Sequence, residues 1–195
     1  MKLLFTHSYF LQFDPKQVAH AQPYPPLGTI LAAALLRSHG HQVQLFDAMF
    51  ANDPNEIVPM LSEFKPDVLV VYDDGFNYLT KMCLSNMREA AFAMQQLAKA
   101  QGCSVIMTSS DAADHYEKYL NQGADFVIIG EGEHTLLHLT KLLSEKTTDF
   151  NSIAGIAYYQ EQHLIKTDKR PVSKQLDELP LPAWDLVDIT PYKNV

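Results

Sequence analysis

Cysteine is almost missing: Cys83 and Cys103 are the only two in 195 residues. Two thiols cannot build a disulfide framework or a Cys-rich metal site. They are also too few for an iron–sulfur cluster held by this chain alone, and their scarcity points to a reducing cytoplasm. Long apolar runs are missing as well. No stretch approaches the roughly 18 consecutive apolar residues of a membrane span. Met1-Lys2-Leu3-Leu4-Phe5, interrupted by Thr6-His7-Ser8, is too short for a signal-peptide core. Nor is there an excess of positive charge. Fifteen Lys and Arg against 23 Asp and Glu give a formal net charge of -8, which argues against nucleic acid or an anionic membrane surface as the main partner. Internal repeats and low-complexity tracts are absent too.

What is there is ordinary globular material. Hydrophobic residues make up 47% of the chain, and ten Phe and nine Tyr exceed what a disordered chain would carry. Short apolar runs alternate with longer amphipathic stretches, the pattern of βαβ units. Strands are expected at residues 3–6, 42–46, 68–72, 104–107 and 125–129. Helices are expected at 26–38, from about 53 to 64, from about Tyr78 to Ala100, at 112–121 and at 133–143. Pro26 suits a first helical turn and Gly40 a helix stop. Val68-Leu69-Val70-Val71-Tyr72 is a continuous run that suits a strand buried on both faces.

The expected fold is therefore a doubly wound α/β domain, flavodoxin-like or Rossmann-like. It has a five-stranded parallel sheet with helices on both faces, plus a small C-terminal hairpin at 153–159 and 163–166 and an extended linker after Arg170. Residues 1–146 form the α/β domain and 147–195 the hairpin and linker.

In such sheets ligands lie beyond the carboxyl ends of the strands. That rule selects five loops: Thr6-His7-Ser8-Tyr9, Asp47-Ala48-Met49, Asp73-Asp74-Gly75, Thr108-Ser109-Ser110-Asp111 and Gly130-Glu131-Gly132-Glu133. The stretch from His7 to Pro25 is long for a first βα connection and rich in aromatics. It reads either as a lid over a large flat ligand or as a loop packed on its own rings. Gly130 and Gly132 let backbone amides approach a ligand in front of a helix start, or simply allow tight packing. Asp73 and Asp74 invite a cation or a phosphoryl group, but the acidic pair after strand one and the lysine after strand five that a phosphoacceptor needs are missing. A flavin phosphate loop is also missing, and no G-x-G-x-x-G follows strand one. His134 and His138 are four apart on a helix, with no third metal ligand evident.

Tyr24-Pro25-Pro26-Leu27-Gly28-Thr29-Ile30-Leu31-Ala32-Ala33-Ala34-Leu35 resembles the first-helix start of cobalamin-binding domains fused to radical S-adenosylmethionine enzymes. Gly40-His41-Gln42-Val43 with Asp47, Lys65-Pro66-Asp67-Val68, and residues 125–133 match further parts of that pattern. Gly155-Ile156-Ala157-Tyr158, Arg170-Pro171 and residues 176–185 resemble the bridge into the radical domain. The resemblance implies a corrinoid partner and a radical domain in the same polypeptide. That domain, which this chain lacks, would carry a 4Fe–4S cluster and S-adenosylmethionine.

On this likeness the chain itself has no catalytic residue and no metal ligand. The cofactor-binding set is Thr6, His7, Ser8, Tyr24, Leu27, Gly28, Tyr72, Asp73, Thr108, Ser109, Ser110, Gly130, Glu131 and Gly132. Tyr9, Tyr24, Leu27 and Tyr72 would wall a corrin, and the hydroxyl residues would meet its amides and tail oxygens. Two positions depart from the family. Phe5 and Phe10 stand where many corrinoid domains have the Asp and Gly around a cobalt-ligating histidine, here His7. Thr108-Ser109-Ser110-Asp111 replaces a glycine-rich turn. The alternatives are a degenerate module that no longer binds cobalamin and serves interaction or substrate positioning, and a stand-alone nucleotide- or small-molecule-binding enzyme using Asp73 and Asp74.

Overall fold

Apolar runs with no polar alternation must bury both faces, and here they form the middle of a sheet. The computed structural model describes residues 1–20, 23–73 and 84–193. Lys2–Thr6 (β1), Gln42–Phe46 (β2), Val68–Tyr72 (β3), Ser104–Thr108 (β4) and Phe126–Ile128 (β5) pair in parallel, in the order β2-β1-β3-β4-β5. That is the flavodoxin-type order. The period of two sorts the side chains between two cores. Leu3, Phe5, Val70 and Ile106 face one, and Leu4, Leu69, Val71 and Met107 face the other.

Helices cover both faces. In chain order they are Pro15–His20 (α1), Leu27–Ser38 (α2), Val58–Phe64 (α3), Leu84–Ala100 (α4), Ser110–Asp114 (α5), Tyr116–Asn121 (α6) and Glu133–Ser144 (α7). Ile30 and Leu36 of α2 share the first core with Leu136 and Leu139 of α7. Leu61 of α3, Met94 of α4 and Leu120 of α6 belong to the second. The expected helix start near Tyr78, the Asp74-Gly75 turn, Met82 and Cys83 lie outside the described residues.

Three expectations need correction. The sheet is mixed and seven-stranded, not five-stranded and parallel. Ile156–Gln160 (β6) pairs antiparallel with β5, and His163–Lys166 (β7) pairs antiparallel with β6. The physical reason is the open edge that a three-residue β5 would leave, which Ile156, Ala157 and Tyr158 cover while burying their own side chains. Gly155 makes the entry into β6 possible. Its φ is +81°, and a Cβ there would lie 2.9 Å from the Ile129 carbonyl oxygen.

Second, the helix expected at 112–121 is two helices broken at His115. Ser109 Oγ caps the first by accepting from the Ala112 amide at 2.8 Å.

Third, the tail after Arg170 is no free linker. Ala183 and Val187 are buried in the first core, and the Ala183 amide donates to the Ile30 carbonyl at 3.1 Å. Arg37 of α2 grips both Asp185 oxygens at 2.6 and 2.9 Å. The tail is a belt across α2.

One buried group conflicts with its surroundings. Gln95 of α4 is fully buried, and neither its Nε2 nor its Oε1 has a hydrogen-bond partner among the described residues. An unsatisfied buried amide costs about 1–3 kcal/mol. Gln95→Met keeps the shape and removes the polar atoms, so it is expected to raise the melting temperature by a few degrees. A thermal melt followed by circular dichroism checks this, and an unchanged or lower midpoint contradicts it.

Candidate functional site

The strands deliver their last residues to one edge, where the loops after β3, β4 and β5 meet the first turn of α2. Between them lies a cleft of about 480 Å³, lined by Gly28, Tyr72, Asp73, Thr108, Ser109, Ser110, Ala113, Asp114, Gly130, Glu131, Gly132, Glu133, Lys169, Arg170 and Val172. This size falls in the range of small-molecule and cofactor sites.

Each wall has a structural cause. Thr29 Oγ1 donates to the Tyr72 carbonyl at 2.6 Å, which ties the start of α2 to the end of β3. The Tyr72 hydroxyl donates to Glu133 Oε1 at 2.9 Å, across the mouth of the β5–α7 turn. That ring sits so close that a Cβ on Gly132 would be 2.7 Å from the hydroxyl oxygen and 2.8 Å from Cε2. Gly130 is different. Its φ is +96°, and a Cβ there would meet only Lys169 Cε, at 4.0 Å, so its backbone faces open space.

Asp73 fixes the floor. Its carboxylate accepts from the Ser8 amide at 2.6 Å and from Ser8 Oγ at 2.8 Å, and its own amide extends the β3–β4 pairing to the Thr108 carbonyl. Burial pushes this carboxyl above its ordinary value, against the two Ser8 bonds.

The loop after β1 turns away from the cleft. Thr6 and His7 are buried, and His7 Nε2 is hydrogen-bonded to Asp47 Oδ1 at 2.9 Å. Asp47 also accepts from the Tyr192 hydroxyl at 2.6 Å and from the Met49 amide. Burial alone would raise Asp47, but these bonds outweigh it and hold the carboxyl below its ordinary value. Tyr9 and Tyr24 pack ring against ring, their centroids 5.6 Å apart, in a cluster with Met49 and Met87. The first loop is thus packed on its own aromatics.

Of the expected set, the structure brings Gly28, Tyr72, Asp73, Thr108, Ser109, Ser110, Gly130, Glu131 and Gly132 together around the cleft. Thr6, His7, Ser8 and Tyr24 lie in or under the first loop, and Leu27 is half exposed beside Gly28 at the start of α2. Sequence reasoning missed Ala113, Asp114, Lys169, Arg170 and Val172. The last three reach the edge because β6 and β7 return the chain there, where Arg170 Nε donates to Thr135 Oγ1 at 2.7 Å and the Ser173 amide to Glu131 Oε2 at 2.9 Å. The signal was the hairpin itself, whose length carries the chain out and back to the end of β5.

Asp111 anchors the loop after β4. It accepts from Arg88 Nε at 2.7 Å, from the second arm of that guanidinium, and from the Tyr119 hydroxyl at 2.7 Å. Burial would raise this carboxyl, yet the Arg88 fork and the Tyr119 hydroxyl hold it below its ordinary value.

A doubly wound sheet with a cleft of hydroxyls, glycine backbone and charged side chains beyond its carboxyl edge defines a class, the ligand-holding α/β domain. The particular family follows from comparison: the family model for the B12 binding domain matches residues 19–140, and the chain belongs to that family. It is 28% identical over 171 residues to an anaerobic magnesium-protoporphyrin IX monomethyl ester cyclase from Synechocystis sp., an alignment covering 86% of this chain and 33% of the relative. It is 27% identical over 175 residues to an uncharacterized methyltransferase of Pyrococcus horikoshii, covering 87% of this chain and 35% of the relative. The chain thus spans about a third of the length of these curated relatives.

The fold is shared with two solved structures. One is the radical S-adenosylmethionine methyltransferase TsrM of Kitasatospora setae, with cobalamin and a 4Fe–4S cluster bound (TM-score 0.65, 16% identity, 93% of this chain and 31% of that one). The other is the cobalamin-dependent radical enzyme OxsB with aqua-cobalamin bound (TM-score 0.65, 19% identity, 95% and 24%).

Two outcomes test this geometry. Gly132→Ala is expected to cost about 1–3 kcal/mol by overpacking against Tyr72. Most of that loss should vanish in a Tyr72→Ala background, and urea unfolding of the double-mutant cycle reads the coupling. Asp111, with its lowered native pKa, contributes stability that is complete above the unfolded value of about 3.9 and is lost as pH falls through the native value. Asp111→Asn is therefore expected to destabilise at pH 7, with the gap to wild type closing in acid. A gap that stays constant down to acid pH would contradict the assignment.

Proposed function

We propose that this chain is the corrinoid-binding module of a radical S-adenosylmethionine enzyme, holding cobalamin at the carboxyl edge of its sheet. The observation that carries this reading is the open backbone at Gly130, in a cleft it shares with Thr108, Ser109 and Ser110. A corrin is a broad apolar disc fringed with amides, so it calls for close backbone approach and dispersed neutral partners rather than a charged socket. The donor set fits. Gly28, Gly130 and Gly132 would admit the disc's edge. Tyr72, held by Glu133, would present a fixed ring, and Ser109, Ser110 and Thr108 would meet amides and tail oxygens. His7 and Ser8 would support the floor through Asp47 and Asp73, with Thr6 buried beside them and donating to the His7 carbonyl.

Bound cobalamin would supply a cobalt centre for methyl transfer or related radical chemistry. This chain's own part is to hold and orient the cofactor. Residues 1–146 would supply most of the binding unit, and 147–195, whose hairpin completes the sheet and whose tail packs on α2, would lead toward a radical domain of the same polypeptide. That domain would carry the 4Fe–4S cluster and S-adenosylmethionine. A cytoplasmic setting suits such chemistry, and among the described residues no helix is long and apolar enough to cross a membrane.

A second reading is a degenerate module that has lost the cofactor. It draws on the side chains of Ser109 and Ser110, which narrow the cleft, and on the Ser8–Asp73 bonds that close the floor.

The two separate in one experiment. The chain is mixed with hydroxocobalamin, desalted, and its visible spectrum recorded. Near-stoichiometric corrinoid absorbance is expected, and Ser110→Trp, which fills the cleft, should weaken retention at least about tenfold while leaving the circular dichroism unchanged. No retained absorbance favours the degenerate module.

A further inference from the structure

A second, larger groove lies outside the cofactor cleft. It encloses about 660 Å³ between the α2–β2 turn and the outer face of α7, and it reaches Arg170 on the belt. In a chain with a net charge of -8, this groove has no carboxylate among its lining residues. Its polar lining is His39, His41, His134, His138, Lys141, Ser144 and Arg170.

Three of these form a stripe. His134, His138 and Lys141 are spaced i, i+4 and i+7, so they share one side of α7, and at 1.5 Å per residue they span about 10 Å along it. Leu137 adds apolar surface on the same wall. Among the described residues none of the three has a side-chain hydrogen bond or an ion pair, and Arg170 uses only its Nε, toward Thr135. Opposite the stripe stands His41, whose Nδ1 is buried without a hydrogen-bond partner.

Among the described residues no three His, Cys, Asp or Glu side chains converge closely enough to hold an ion. What the histidines form is an elongated row of N–H donors with a cation toward each end, Arg170 near the start of α7 and Lys141 two turns along. A single phosphate would engage only part of such a row. A chain of phosphates would engage it end to end, through charge-assisted hydrogen bonds that Lys, Arg and imidazole N–H groups make well.

We propose that this groove is a binding site for a small polyphosphate, either inorganic or the phosphate chain of a nucleotide, with Lys141, Arg170 and the His134–His138 pair as its ligands. It is separate from the corrinoid cleft, and Arg170, which borders both, gives the two sites a shared side chain.

Isothermal titration calorimetry of the full chain in phosphate-free buffer tests this, with sodium triphosphate in one arm and ADP in the other. Saturable one-to-one binding of at least one probe is expected. ADP binding the tighter of the two assigns a nucleotide, and triphosphate binding equally or more tightly assigns an inorganic chain. The double variant His138→Ala with Lys141→Ala should weaken binding at least about tenfold, since two donors are lost. Lys141 is exposed and His138 half-buried, and an unchanged circular dichroism spectrum confirms that the variant is folded. Lys118→Ala, which removes one exposed positive charge on α6, should leave the affinity as it was. The proposal is overturned if neither probe binds saturably at millimolar concentration. It is equally overturned if the double variant binds as wild type does, or if Lys118→Ala weakens binding as much.

Discussion

The shape of the ligand edge depends on one buried carboxylate. In a sheet of order 2-1-3-4-5 the connections leave β1 and β3 toward opposite faces, and the crevice between them is the usual ligand position. Here Asp73 accepts both the amide and the hydroxyl of Ser8 and stitches that crevice together. With the β1–β3 gap closed, the open volume moves along the edge to the ends of β3, β4 and β5, where Gly130 and Gly132 leave room. A carboxylate that burial drives toward the neutral form is kept at this junction because two donors from one residue meet it there.

The other side of the first loop is held in the same manner. Asp47 gathers His7, Met49 and Tyr192, so one carboxylate joins the first loop, the second loop and the end of the tail. Asp111 does the same for the fourth loop through Arg88 and Tyr119. Three acidic groups, in the loops that follow β2, β3 and β4, thus hold the edge loops in place, while the cleft itself is lined by hydroxyls and glycine backbone together with charged side chains such as Glu131, Lys169 and Arg170. Rigidity in this part of the edge thus comes from carboxylates that each gather two or more donors.

Much of this was legible in the sequence. The strand runs and their order of burial were plain from Val68-Leu69-Val70-Val71-Tyr72 and its neighbours, because a continuous apolar run has few alternatives. The loops after β3, β4 and β5 followed from topology alone, and nine of the fourteen expected residues stand around the cleft. What could not be read was pairing between distant segments. That Ser8 would be consumed by Asp73, and His7 by Asp47, depends on contacts across 65 and 40 residues, which local pattern does not encode. The tail misled for a related reason. Leu179-Pro180-Leu181-Pro182 has the composition of a linker, and nothing local reveals that Ala183 and Val187 fit the groove over α2. The same distance hid Lys169 and Arg170, whose place at the edge is set by the register of β6 on β5.

The belt over α2 has a consequence for the order in which the chain folds as it is synthesised. Ala183 and Val187 complete the core that Leu3, Phe5 and Ile30 begin, and Asp185 closes on Arg37 across 148 positions of sequence. A growing chain that has released only the strands and helices up to α7 holds one face of α2 bare, and its edge cleft still lacks Lys169, Arg170 and Val172. The α/β domain is therefore sealed by a segment made after all its parallel strands, and α2 waits for residues 183–187 before its outer side is covered.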